Sequence, residues 1–253
     1  MAGVPGRLPR APRGATTGHT GPVSGPQAQV VARIPGAAAL GLVPPRGAPA
    51  VPAGLLADPA WLGPVLTARA ARGGDLRVHA TVWWYSASAV LLAPVLAGLA
   101  VGRPLSARPA DTTVVLGAGG LPVAAVSAAP ADDPAAGLRE CLAVVVPAVA
   151  AVAGMRPRPL WAIATDSLAN GLLSLGRALG DVAAVTALAA PLAAAVGPPL
   201  PAPRYVDVDG VRFTARASCC LVDRLPGGGT CLSCPRRPPA ERQILLEDAA
   251  ARG

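Results

Sequence analysis

Four cysteines fall within sixteen residues near the end of the chain: Cys219, Cys220, Cys231 and Cys234, spaced C-C-x10-C-x2-C. One other cysteine, Cys141, lies far upstream. Thiols crowded in this way point to a shared centre, whereas a disulfide-stapled secreted domain spreads its pairs along the chain. Whatever fold the remainder adopts must bring two short arms together and close the loop between them.

The rest of the chain sets limits. Of 253 residues, 52% are hydrophobic and 14% charged, enough apolar matter for one sizeable core with a small appended module. All 22 basic residues are arginine against 14 acids, and the net charge of +8 favours anionic partners. Nucleic acid is not expected, because the four Trp, two Tyr and one Phe are not interleaved with any basic run. No apolar run follows Arg7, Arg10 and Arg13, so the expected location is a reducing cytoplasm with no secretory signal. Val78 to Val101 is long enough to cross a bilayer. Its Ala, Ser and Gly content, Pro94, and leucines at helical core spacing read instead as a buried helix. A peripheral contact with the inner membrane stays open.

The expected fold is α+β, a mostly helical domain with a small antiparallel sheet and a C-terminal cysteine-loop module. Residues 1–54 are rich in Pro, Gly and Ala and are expected to be largely disordered, although Val30 to Leu42 could lie on the domain. Residues 55–253 then form one domain, with 204–245 as its C-terminal module. Helices are expected from Pro59 to Ala71, from about Thr81 with a break or kink at Pro94, from Leu138 to Ala153, after a cap at Thr165-Asp166, from Asp181 to Val196, and from Glu241 to Ala251. Thr112–Leu116 and Pro122–Ser127 read as a hairpin across Gly117-Ala118-Gly119-Gly120. A dinucleotide loop at those glycines is disfavoured, since a second strand follows where a helix would be required. Tyr205 to Thr214 suits a second hairpin turning at Asp209-Gly210.

Four thiolates can hold one tetrahedral zinc or a 2Fe-2S cluster. Structural zinc sites usually present two short-spaced knuckles, whereas one arm here is a directly adjacent pair. Neighbouring residues in an extended chain point to opposite sides, so Cys219 and Cys220 need a local turn to serve one centre. Gly227 to Gly229 can fold the loop back and let amides approach sulfur. Cys141 reads as a buried small hydrophobe, His79 as a helix-start or packing residue, and Asp132-Asp133 as a loop. No P-loop, nucleophile elbow or informative acid pair is present.

The stretch from Arg216-Ala-Ser-Cys219-Cys220 to Gly-Gly-Gly-Thr-Cys231-Leu-Ser-Cys234-Pro235 resembles the C-terminal signature of FhuF-type ferric-siderophore reductases. The likeness extends to Trp161–Gly180 and to Trp83-Trp84-Tyr85-Ser86. It implies a cytoplasmic oxidoreductase whose Cys219, Cys220, Cys231 and Cys234 bind a 2Fe-2S cluster and pass single electrons to siderophore-bound Fe(III), releasing Fe(II). The implied partners are a ferric siderophore of the hydroxamate type and an external electron donor such as a ferredoxin or flavin reductase. Arg216 and Arg224 are the arginines expected to act on the cluster, with Arg236 and Arg237 nearby. A binding module stapled by zinc on the four thiols and a 2Fe-2S electron carrier without siderophore activity remain the alternatives.

Overall fold

The computed structural model describes residues 18–19 and 23–252. Disorder expected over positions 1–17 and 20–22 falls outside the described residues. From residue 23 onward the N-terminal segment is packed, and the reason is visible in its side chains. Val30, Ile34, Leu42 and Val51 enter the same core as the helices that follow. Gln27, on α1 (Pro26–Val31), is fully buried. Its amide donates to the carbonyls of Leu42 and Ala125, both at 3.0 Å, and accepts from the Ser127 amide at 2.7 Å. A boundary at residue 54 therefore does not divide the packing.

Among the described residues, six strands make two antiparallel sheets. The larger has the order β1 (Gly18–His19), β2 (Pro49–Pro52), β3 (Thr112–Leu116), β4 (Pro122–Ser127). The glycine run between β3 and β4 is a hairpin turn as expected, with Val114 opposite Ala125 and an irregularity after Val115. The smaller sheet is the hairpin β5 (Tyr205–Val208) and β6 (Val211–Thr214), which turns through Asp209 and Gly210, both at positive φ.

The helices that follow α1 are α2 (Pro59–Ala70), α3 (Leu76–Ala100), α4 (Pro134–Val152), α5 (Arg158–Leu179), α6 (Val182–Ala187), α7 (Ala189–Val196) and α8 (Pro239–Ala250). At the centre α3 lies against α5, where the Ser88 and Ser167 hydroxyls meet at 2.8 Å. Two adjacent, fully buried tryptophans of α3 hold the surroundings. Trp83 Nε1 donates to Gly120 O at the β3–β4 turn (2.9 Å), and Trp84 Nε1 donates to Leu160 O on α5 (2.8 Å).

Several expected boundaries move. α3 starts at Leu76, where Asp75 caps it, and continues through Pro94, which is buried. α5 starts at Arg158, so Asp166 is a buried mid-helix residue and not the cap expected there. The segment from Asp181 breaks at Leu188 into two helices. By length and composition alone α3 and α4 could each cross a membrane; here more than half of each apolar stretch is buried inside the protein.

Candidate metal centre

β6 delivers the first cysteine arm onto α5. Two residues after its end comes Arg216, buried against the helix, and the next two amides bind a carboxylate of that helix. Asp166 Oδ1 accepts from Ala217 N at 2.7 Å, and Oδ2 accepts from Ser218 N at 3.0 Å. Arg216 Nε stands 3.5 Å from Oδ2. From α3, the Tyr85 ring lies under the guanidinium, 5.1 Å from Cζ to the ring centroid. The arm is thus fixed by two helices before its first cysteine.

The local turn that an adjacent cysteine pair needs is made by Leu221, a non-glycine residue in the left-handed region at φ 60°. Leu221 N donates to Cys219 Sγ at 3.4 Å. A 3-10 turn at Val222–Arg224 follows, and the glycine run then folds back on it. Gly227 has a positive φ, and a Cβ on Gly228 would stand 1.8 Å from the Val222 carbonyl oxygen, so only glycine fits there. The glycines close the loop; the amides that reach sulfur come from Leu221 and Val222.

This folding sorts the thiols into two pairs. Cys219 Sγ and Cys234 Sγ lie 3.8 Å apart. Cys220 and Cys231 share one donor, Arg216 Nη1, at 3.7 and 3.0 Å respectively. None of the four is in a disulfide. Among the described residues, no three His, Cys, Asp or Glu side chains converge on one ion position.

The electrostatics follow the pairing. Hydrogen bonding from Cys231 holds the Cys220 thiol down to about 5 against burial, with the Val222 amide and Arg216 adding to the lowering. Cys231 is pushed up by the same bond and by burial, so the pair shares one proton. Burial raises Cys219. On Asp166 burial pushes the carboxyl upward, while the two amides and Arg216 pull it back. On Arg216 the neighbouring sulfurs outweigh burial and raise its pKa. The Nη2 of Arg216 is buried with no partner, a donor left over beside the sulfurs.

The second arm is held from α8 and its approach. Arg237 donates to the carbonyls of Cys231 (3.2 Å) and Thr230 (2.9 Å) and pairs with Glu241, and Arg242 reaches Cys234 O at 3.5 Å. Arg216 therefore meets the sulfurs as expected. Arg224 does not join it: its side chain is 59% exposed and its ion pair, at 4.0 Å, is with Asp223. Arg236 also binds Asp223, at 2.9 Å. Cys141 lies on the core face of α4, its thiol pushed up to about 12 by burial.

Two cavities touch the cysteine loop. One of about 690 Å³ is lined by Arg204, Thr214, Arg216, Ser233 and Arg242, among others. The other, about 840 Å³, is more apolar and includes Leu232. Asp166 and Tyr85 were not singled out as site residues by the sequence. Both lie in stretches, Trp83–Ser86 and Trp161–Gly180, that the sequence alone marked only by resemblance, and that was the available signal.

The donor set fits an iron–sulfur group: four sulfurs in two close pairs, with an unpartnered guanidinium nitrogen beside them. Comparison with curated proteins and with solved structures finds no match. A family model does match, over residues 216–236, the stretch that carries Arg216 and all four clustered cysteines, and it is the one described as the FhuF 2Fe-2S C-terminal domain.

Proposed function

We propose that this protein is a cytoplasmic 2Fe-2S ferric-siderophore reductase, with Cys219, Cys220, Cys231 and Cys234 as the cluster ligands. The observation that carries the reading is the sorting of the four thiols into two pairs, one of them on buried Arg216, within the stretch that matches the 2Fe-2S family model. A single tetrahedral ion draws its ligands to one point, whereas a dinuclear centre takes two per metal.

When bound, the cluster supplies one-electron transfer. The residues supply the rest. Arg216 offsets negative charge on the sulfurs, and Asp166 with Tyr85 keeps that guanidinium in place. Arg204, Arg216 and Arg242 give the 690 Å³ cavity a positive wall beside the second cysteine arm, suited to an approaching ferric chelate. Hard oxygen ligands hold Fe(III) better than the softer Fe(II), so transfer of one electron to the bound iron weakens the chelate and frees the metal. The electron comes from another protein, a ferredoxin or flavin reductase.

The test is direct. Anaerobically purified protein is expected to be red-brown, to contain two iron and two sulfide per chain, and to give a rhombic paramagnetic signal when reduced. Reconstituted with an external reductant, it should turn a ferric hydroxamate over to Fe(II). Colourless protein carrying one zinc would overturn the cluster; a red-brown protein inert toward every ferric chelate would leave an electron carrier.

A further inference from the structure

The two thiol pairs have unlike surroundings. Cys220 and Cys231 receive the Arg216 guanidinium, whose side chain is only 4% exposed. Cys219 and Cys234 receive the Leu221 amide and, from the solvent side, the Arg236 guanidinium, and a carboxylate stands close: Asp223 Oδ1 is 3.9 Å from Cys219 Sγ. Arg236 answers Asp223 at 2.9 Å but its side chain is 42% exposed, so solvent and salt weaken its effect on the sulfurs. The countercharge of Arg216 is Asp166, which lies on the Nε edge of the guanidinium while the sulfurs lie on Nη1. The cation is therefore the nearer charge to Cys220 and Cys231.

Resting on the 2Fe-2S reading above, we infer that Cys220 and Cys231 hold one iron, that Cys219 and Cys234 hold the other, and that the added electron resides on the iron of Cys220 and Cys231. Two thiolates on one tetrahedral metal at about 2.3 Å stand about 3.8 Å apart, the separation found between Cys219 and Cys234. One electron from a one-electron donor turns one of two Fe(III) ions into Fe(II). No bond forms or breaks, no proton need move, and the centre becomes more negative by one charge. A buried cation stabilises that charge more than an exposed one does, because the medium between them screens less. A carboxylate beside Cys219 disfavours it on the other iron.

The experiment uses the full-length, iron-57-enriched holoprotein reduced with dithionite and read by Mössbauer spectroscopy. In the reduced state the ferrous and ferric ions give separate quadrupole doublets. Cys220→Ser and Cys231→Ser are each expected to alter the ferrous doublet, and Cys219→Ser and Cys234→Ser the ferric one. Cys220 and Cys231 acting on different irons would overturn the pairing, and a ferrous response to Cys219→Ser or Cys234→Ser would overturn the placement of the electron. Should a serine variant assemble no cluster, the wild-type reduced protein answers by proton NMR. The ferric and ferrous cysteine signals separate by their temperature dependence, and those in contact with the Arg216 side chain should belong to the ferrous set; contact with the ferric set overturns the inference. Zinc in place of iron would sink the underlying reading instead, and is recognised by metal analysis before any spectrum is taken.

Discussion

The Asp166 carboxylate and the Arg216 guanidinium face each other at 3.5 Å with both side chains almost wholly out of water, and together they join α5 to the first cysteine arm. Removing one partner of a buried pair leaves an uncompensated charge, at a cost of about 3–5 kcal/mol. Asp166→Ala also frees the Ala217 and Ser218 amides. We expect it to lower stability by at least that amount in denaturant melts and to yield protein with little bound iron. Retention of wild-type stability and iron would remove Asp166 from its anchoring role.

Cys141 and the clustered cysteines should respond differently to the same change. Cys141→Ser puts a hydroxyl into the apolar face of α4 and is expected to cost about 1–3 kcal/mol while leaving iron content intact. Serine at position 219, 220, 231 or 234 should lower iron content or alter its spectrum. Iron loss in Cys141→Ser at unchanged stability would contradict the assignment.

Thiol reactivity in the metal-free protein should be uneven and pH-dependent. Cys220, held down to about 5, is a thiolate at neutral pH and loses that form as pH falls through about 5. Cys141, pushed up to about 12, stays protonated throughout. Alkylation followed by peptide mass spectrometry should label the Cys220–Cys231 pair at pH 7, with half the rate near pH 5, and spare Cys141 in the folded chain.

The glycine run offers a one-atom contrast. Gly228→Ala places a methyl group against the Val222 carbonyl, so the loop must open and iron content should fall severalfold. Gly229→Ala meets nothing within 4 Å and has no positive φ, and should be neutral. Equal iron content in the two variants would show that the loop is not closed in this way.

Gln27 anchors the N-terminal segment through three buried bonds. Gln27→Ala strands two carbonyls and one amide, and should cost at least about 1–3 kcal/mol in a thermal or denaturant melt. A neutral result would mean that the segment does not pack as described.

The sequence made much of this legible, and its failures share a cause. The cysteine spacing, the β3–β4 hairpin, and the Asp209-Gly210 turn depend on local chemistry, and each is found where expected. Contacts made across long separations are different. Asp166 next to Thr165 looks like a helix cap, and only the return of the chain fifty residues later turns it into an anchor for Ala217 and Ser218. Tyr85 is an ordinary helix residue until Arg216 lies over it. Arg224 and Arg216 flank the first cysteine pair about equally in sequence, and the turn at Leu221 sends one outward while the other is buried. Pro-, Gly- and Ala-rich composition concealed the few apolar residues, Val30, Ile34, Leu42 and Val51, that dock residues 23–54.

That docking has a consequence for how the chain avoids self-association. β2 covers β3, whose Val114, Val115 and Leu116 are a short β-prone apolar run. A protein shortened to begin after residue 54 would present that run as a bare sheet edge, ready to pair with the same edge on another molecule. The short strand Pro49–Pro52, in a segment unpromising as a core-builder, is in this sense the guard on an apolar strand of the fold.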